Sequence, residues 1–338
     1  RGPLIEEART NHVPYNTAIN STNWTVRGTL VATDGQPSPD GGNTATLLTG
    51  LGANGFDDIY QKNYVTEAQY TNNAVITPSI FVKRVTSVGI FKIEQAFNSN
   101  IGRWDVNLAL LPDRWERITE THPAVTIVNS FAAEAIGAGG LLFDALSTID
   151  IQIWLPQLEE ASASSSPIIT TTAAVTRNAD VLTYDTANWY ADGKAGTMQV
   201  DADLVYTPDG TNTTLAMLHN NSWTNRITLY RSSSNLLYSY VDVNSDFVSL
   251  GNESLVKGES ARFILGVKDY DYAFKSSGGT IGSNTTIAAV GGISELTVGG
   301  VHTGLQKANG TILNIIYYQK RLANSVLEAN SEREYSND

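Results

Sequence analysis

The chain has 338 residues, long enough for two domains that each bury a core, with 41% apolar and only 17% charged residues. Its formal net charge of −12 argues against a broad electrostatic grip on nucleic acid or on an acidic membrane surface, and no apolar run reaches the length of a membrane span. Cysteine is absent, which excludes disulfides, thiolate metal sites and cysteine nucleophiles, and suits folding in a reducing cytoplasm. With charge so sparse, the polar surface rests on Asn, Thr, Ser and Gly, a composition that favours strands and loops over helix. A start at Arg1 without Met or signal peptide reads as a fragment or a processed piece.

In chain order, period-2 alternation recurs and sustained helical periodicity does not. The turn signal "PDGG" (39–42) is followed by the acidic loop "FDDIYQKN", where Asp57 and Asp58 are candidate oxygen ligands for a structural calcium. Trp104 follows "NSNIGR", which reads as a turn between strands. "TIVNSFAAEA" and "IDIQIWLPQL" then alternate as strands. The small-residue run "ASASSSP" (161–167) lacks any core-forming side chain and reads as a short tether between touching domains. Two antiparallel β-sandwiches are therefore expected, an all-β fold divided into 1–162 and 163–338.

Past the tether, "GTMQVDADLVYTP" is the clearest strand, placing Met198, Val200, Ala202, Leu204 and Tyr206 on one face. "RITLYRSSS", "NLLYSYVDVN", "ARFILGVKD" and "GTILNIIYY" continue the pattern, punctuated by "PDGT" (208–211) and "SSGGT" (276–280). "VKDYDY" offers Asp269 and Asp271 as further calcium candidates. One short helix is expected within 321–334, with Asn324 as its cap and Val326, Leu327 and Ala329 as a small apolar stripe.

Catalytic constellations are poor. The four histidines are scattered, no Gly-x-Ser-x-Gly elbow occurs, and the adjacent acids Asp57–Asp58 and Glu159–Glu160 would point to opposite faces of a strand. Asn-x-Ser/Thr matches such as Asn20, Asn212 and Asn284 follow from the abundance of Asn and Thr. The aromatic residues are more informative. A sugar presents flat C–H faces that stack on exposed rings, while amides, acids and Arg satisfy its hydroxyls. Among six tryptophans, Trp104 and Trp223 lie in polar surroundings that make them candidate sugar contacts. Trp223 sits in a segment, 219–226, that reads as a loop between strands around Leu215 and Ile227, together with His219, Asn220, Asn225 and Arg226.

The opening "GPLIEEARTN" and "NSTNWTV", then "PDGGNTATLL", "SIFVKR", "RWERIT" and the closing "IWLPQLEE", resemble the carbohydrate-binding-module-like jelly roll of a group of bacteriophage tail proteins. "VTRNAD" (175–180), "NWYADGKAGTMQV", "ARFILGVKDYDYAFKSSGG" and "ILNIIYYQKRLANSVLEA" resemble the concanavalin A/laminin G-like sandwich that follows it in such tail fibres and tailspikes. The resemblance spans most of the chain and departs at the bridge, "SPIIT", and at the helix start, where Ala323 and Val326 replace a reciprocal capping pair. It implies that Trp24, Trp115, Trp154 and Trp189 are structural. It also implies a non-enzymatic receptor-binding module in the virion tail, a homotrimer contacting other tail proteins and a host surface glycan, with a structural calcium as an option. The alternatives are a decoration protein without a sugar site and a targeting module of a polysaccharide-degrading tailspike.

Overall fold

The computed structural model describes residues 4–20, 22–50, 58–61, 74–86, 90–97, 100–120, 122–125, 140–145, 148–161, 163–190, 194–203, 212–234, 236–254, 260–303, 308 and 310–332. Within them every strand pairing is antiparallel, as the alternating sequence requires of an all-β chain. The chain forms two compact units, Arg9–Arg177 and Arg1–Ala8 with Asn178–Asp338. Its first strand, β1 (Leu4–Ile5), thus belongs with the C-terminal half. No described helix is long and apolar enough to cross a membrane. The strand-like "TIVNSFAAEA" lies outside the described residues.

The strands of the first unit are β2 (Arg9–Asn11), β3 (Thr25–Arg27), β4 (Val31–Gln36), β5 (Ala45–Gly50), β6 (Asp58–Tyr60), β7 (Ala74–Arg84), β8 (Ile90–Phe97), β9 (Asn100–Asn107), β10 (Glu116–Thr119), β11 (His122–Val125), β12 (Gly140–Ala145), β13 (Ile149–Glu160) and β14 (Val175–Arg177). They make one sheet in the order β10-β7-β13-β5-β4, with β11 also on β7, a second in the order β3-β6-β12-β8-β9, and the pair β14-β2. Along β13, Ile149, Ile151 and Ile153 fall on one face and enter a core with Trp24, Leu48, Ile80 and Val82. A register shift between Trp154 and Gln157, with Leu155 at φ 52°, then breaks the alternation. It turns Trp154 and Leu155 into a separate cluster with Phe81 and Trp115. Trp154 is 3% exposed and donates its indole N–H to Thr44 Oγ1 at 2.9 Å, whereas Trp115 is only half-buried.

The small-residue bridge is fastened to this unit. Gln157 accepts the Ile168 N–H, and buried Glu159 accepts the Ser165 N–H at 2.9 Å. Asn11 and Asn16 donate to the Ile168 carbonyl at 3.0 and 2.8 Å. These bonds carry the compact unit through the bridge to Arg177, where the bare sequence shows only a tether.

The second unit adds to β1 the strands β15 (Leu182–Asp185), β16 (Gly196–Asp203), β17 (Thr213–His219), β18 (Asn225–Arg231), β19 (Leu236–Val243), β20 (Asp246–Ser254), β21 (Ser260–Val267), β22 (Tyr272–Ser276), β23 (Gly282–Asn284), β24 (Glu295–Val298) and β25 (Gly310–Tyr318), and the helix α1 (Asn324–Ser331). Two six-stranded sheets result, β1-β25-β16-β21-β22-β23 and β15-β24-β17-β18-β19-β20. Met198, Val200 and Ala202 from β16 share one core with Leu229, Val241, Phe263 and Phe274. Leu204 and Tyr206, expected to extend that face, lie outside the described residues. Ile5 of β1 reaches the same core against Gly299, whose φ of 69° and missing Cβ leave room for it.

The helix sits on the other face of its sheet, where Leu327 packs with Leu322, Ile264 and Ala273. Asn324 does not cap it. Ala323 holds the cap position, and the Asn324 amide oxygen instead accepts from Arg321 at 2.6 Å. Of the expected apolar stripe only Leu327 is buried, while Val326 and Ala329 face solvent.

Candidate functional site

Alternation gives the β17–β20 part of the second sheet two different faces. Ile227, Leu229, Leu237 and Val241 enter the core. The residues between them, Arg226, Thr228 and Tyr230 on β18, with Tyr238 and Tyr240 on β19, must then point the other way. The register places Thr228 opposite Tyr240 and Tyr230 opposite Tyr238. Tyr230 and Tyr238 stack at 5.6 Å between centroids and 21° between planes. On the next strand Phe247, 63% exposed, stacks on Tyr240 at 5.3 Å and 16°.

Arg226 is the centre of this face. Its guanidinium carbon lies 4.4 Å from the Trp223 ring centroid and 4.6 Å from that of Tyr240. The planar cation is thus held by a ring from the β17–β18 connection and a ring from β19. Beside it opens a cavity of about 220 Å³, lined by Asn212, Trp223, Arg226, Thr228, Tyr230, Tyr240 and Val301. Two buried polar atoms of that lining, Arg226 Nε and Thr228 Oγ1, have no hydrogen-bond partner among the described residues. Leaving such an atom unpaired costs about 1–3 kcal/mol. No carboxylate pairs with Arg226 among the described residues. Asp242, opposite it in the ladder, accepts instead from the Ser245 N–H at 3.1 Å.

The residues expected in one loop at 219–226 divide into separate roles. His219 is the last residue of β17 and is 0% exposed, so it does not reach a ligand. The Asn221 N–H donates to its Nδ1 at 2.9 Å, which assigns the ring proton to Nε2, donating to Thr297 Oγ1 at 2.7 Å. Burial first, and the neighbouring His302 second, push its pKa down to about 4 and keep the ring neutral. It anchors the turn in which Asn221 takes a φ of 64°. Asn225 opens β18 and exchanges side-chain hydrogen bonds with Asn244, accepting from its N–H at 3.2 Å and donating to its Oδ1 at 3.3 Å. It therefore clamps the neighbouring hairpin turn. Asn220 is half-buried, its Oδ1 without a partner among the described residues.

Trp223 is 41% exposed, but its ring is engaged by Arg226 and, at 4.6 Å and 66°, by His302. It walls the cleft more than it offers a bare stacking plane.

Trp104 lies within β9, paired with Ile93, and not in a turn. Asp58 pairs with Arg27 and Asp144 through the ladder of β6, and Asp57 lies outside the described residues. Asp269 accepts the Ala289 N–H at 3.0 Å, and Asp271 pairs with Arg321 at 3.1 Å, where a guanidinium already supplies the positive charge. The described residues contain no group of three or more acidic or histidine side chains able to hold a metal.

The sequence reading missed Thr228, Tyr230, Tyr238, Tyr240, Phe247 and His302. The signal was present in "RITLYR" and "LLYSYVDV": once Ile227 and Leu229 are assigned inward, the aromatic positions between them are outward by parity. A larger cavity of about 470 Å³ is lined mainly by apolar residues such as Leu182, Trp189, Ile312 and Ile315, with Tyr184, Asn314 and Tyr317 beside them.

No family model and no curated protein matches the chain. Among solved structures, a carbohydrate-binding module, CBM40, of the Ruminococcus gnavus IT-sialidase bound to alpha2,3 sialyllactose is similar at 15% identity and a TM-score of 0.36, covering 45% of this chain and 93% of that one. The leech intramolecular trans-sialidase complexed with 2,7-anhydro-Neu5Ac is similar at 16% identity and a TM-score of 0.36, over 46% of this chain and 27% of that one. The K499G mutant of NanB sialidase from Streptococcus pneumoniae is similar at 18% identity and a TM-score of 0.35, over 46% and 27% respectively.

Proposed function

We propose that the chain is a non-enzymatic glycan-recognition module of a bacteriophage tail fibre or tailspike-type protein, binding a host surface polysaccharide through the outward face of β18–β20. The observation that carries the sugar reading is the clamped Arg226, beside a small cleft with unpaired Arg226 Nε and Thr228 Oγ1. Aromatic walls can pack on sugar C–H faces while the guanidinium donates to sugar oxygens. The phage setting is supported by the sequence resemblance across both units. With it come display on the virion, acting outside the host cell, association as a homotrimer and contact with other tail proteins.

A glycan array, with the oligomeric mass of the same protein measured alongside, tests the reading. Wild type should bind a defined bacterial polysaccharide and Trp223→Ala should lose most of that binding with little change in Tm. Unchanged binding by Trp223→Ala would move the sugar site away from this cleft, and no glycan bound by either protein leaves the structural decoration role in its place. A monomeric mass would remove the trimer.

A further inference from the structure

We infer that the Arg226 cleft selects a carboxylated sugar residue, of the uronic-acid class, over its neutral counterpart. The inference rests on the glycan reading above and deepens it. The rings of Trp223 and Tyr240 are centred 4.4 and 4.6 Å from the guanidinium carbon, and its hydrogen-bonding capacity lies along the N–H edge. That edge presents coplanar donors at the spacing of two carboxylate oxygens, the bidentate geometry in which Arg is strongest. Thr228, on the same strand, also lines the cleft, its hydroxyl buried and without a partner among the described residues.

Charge points the same way. The protein carries −12 overall, yet no described carboxylate forms an ion pair with this cation, and Asp242 across the ladder accepts from the Ser245 N–H. An acidic polysaccharide repelled by most of the surface would find a local exception here. The planar fork can engage two oxygens of a carboxylate, a sulfate or a phosphate, and the sulfated polymer in the test below separates these anions. The cavity of about 220 Å³ is of the order of one sugar ring and not of an extended chain, so selection falls on a single residue of the polymer.

The test compares a polyuronate with the same polymer after carboxyl reduction and after sulfation of the reduced form, titrated against the full chain at low and physiological salt. Wild type should prefer the polyuronate to the reduced polymer by about tenfold or more, the scale of a charge-assisted hydrogen-bonded pair. Arg226→Gln should erase that ratio and Arg226→Lys, which keeps the charge but not the fork, should retain only part of it. Because the decisive comparison changes the ligand and not the protein, it stands even where a variant folds poorly. Equal wild-type binding to the polyuronate and its reduced form, or to the sulfated form, would overturn the carboxylate inference while leaving glycan recognition intact. Binding to none of the three, with none on a wider array of neutral glycans, would overturn both.

Discussion

The two faces of the β17–β20 sheet are made from the same strands, one residue apart, and they answer to different demands. The inward face, with Ile227, Leu229, Leu237 and Val241, is buried against the facing sheet. The outward face places Arg226, Thr228, Tyr230, Tyr238 and Tyr240 at the intervening positions, with rings in stacked pairs and two polar atoms left unpaired. Stability is therefore concentrated on one side of the backbone, and unsatisfied chemistry on the other. The contrast predicts that substitutions one residue apart will separate folding from binding.

The largest effect should come from the inward face. Leu229→Ala removes a fully buried side chain and should cost about 4 kcal/mol, lowering Tm by roughly 10 °C. A smaller loss than Tyr240→Ala produces would dissolve the contrast.

Next comes His219, which sits on the outward side yet is buried and neutral. Its folded pKa of about 4 lies below the ordinary value of 6.5, so the unfolded chain takes up the proton first. Its contribution is intact above about pH 6.5 and is lost as pH falls toward 4, reaching about 3 kcal/mol below that point. Thermal melts of wild type and His219→Gln across this window should diverge, the variant showing the flatter acid limb. Parallel curves would mean that the ring is not held neutral.

Tyr240→Ala, on the outward face, should cost about 1 kcal/mol of stability while weakening glycan binding about tenfold, since it removes one wall of the Arg226 clamp. Denaturant melts and glycan titrations of the same protein separate the two quantities.

The smallest effect is expected at Asn225→Ala, which loses hydrogen bonds to Asn244 in a solvent-exposed turn, at about 0.5–1 kcal/mol. Its glycan affinity should stay within about twofold of wild type, and a collapse in affinity would return Asn225 to the binding site.

Much of this architecture was legible. Alternation in "GTMQVDAD", "RITLYR" and "NLLYSYVDV" marks strands that the structure contains, and the cleft was approached through Trp223 and Arg226. What escaped has physical reasons. A tyrosine in an alternating strand suits a core as well as a surface, so Tyr238 and Tyr240 carried no signal until the parity of the whole strand was fixed. His219 looked like a loop residue because strand ends are set by pairing with distant partners, here Glu295 and Arg226, and not by local sequence. The role of β1 rests on two residues whose partners, Thr311 and Gly310, lie some three hundred positions away, beyond the reach of any periodicity.

That same two-residue strand makes the first unit a cassette spliced into the second. The host chain leaves after Ala8 and resumes at Asn178. Just outside those points, Asp180 N–H donates to the Glu6 carbonyl at 2.9 Å and Glu6 N–H donates to Asp180 Oδ2 at 2.8 Å. Just inside them, β2 and β14 run as a ladder, with Thr10 and Thr176 hydroxyls 2.7 Å apart. Exit and return are thus stitched together on both sides of the splice, the geometry in which insertions and permutations are tolerated. Residues 9–177 should be removable, with Ala8 joined to Asn178 through a short glycine-containing turn, leaving a miniature that keeps β1 on β25 and the Arg226 cleft in place. Modularity here is a property of the seam, and it would let the cassette be exchanged for another without rebuilding its host.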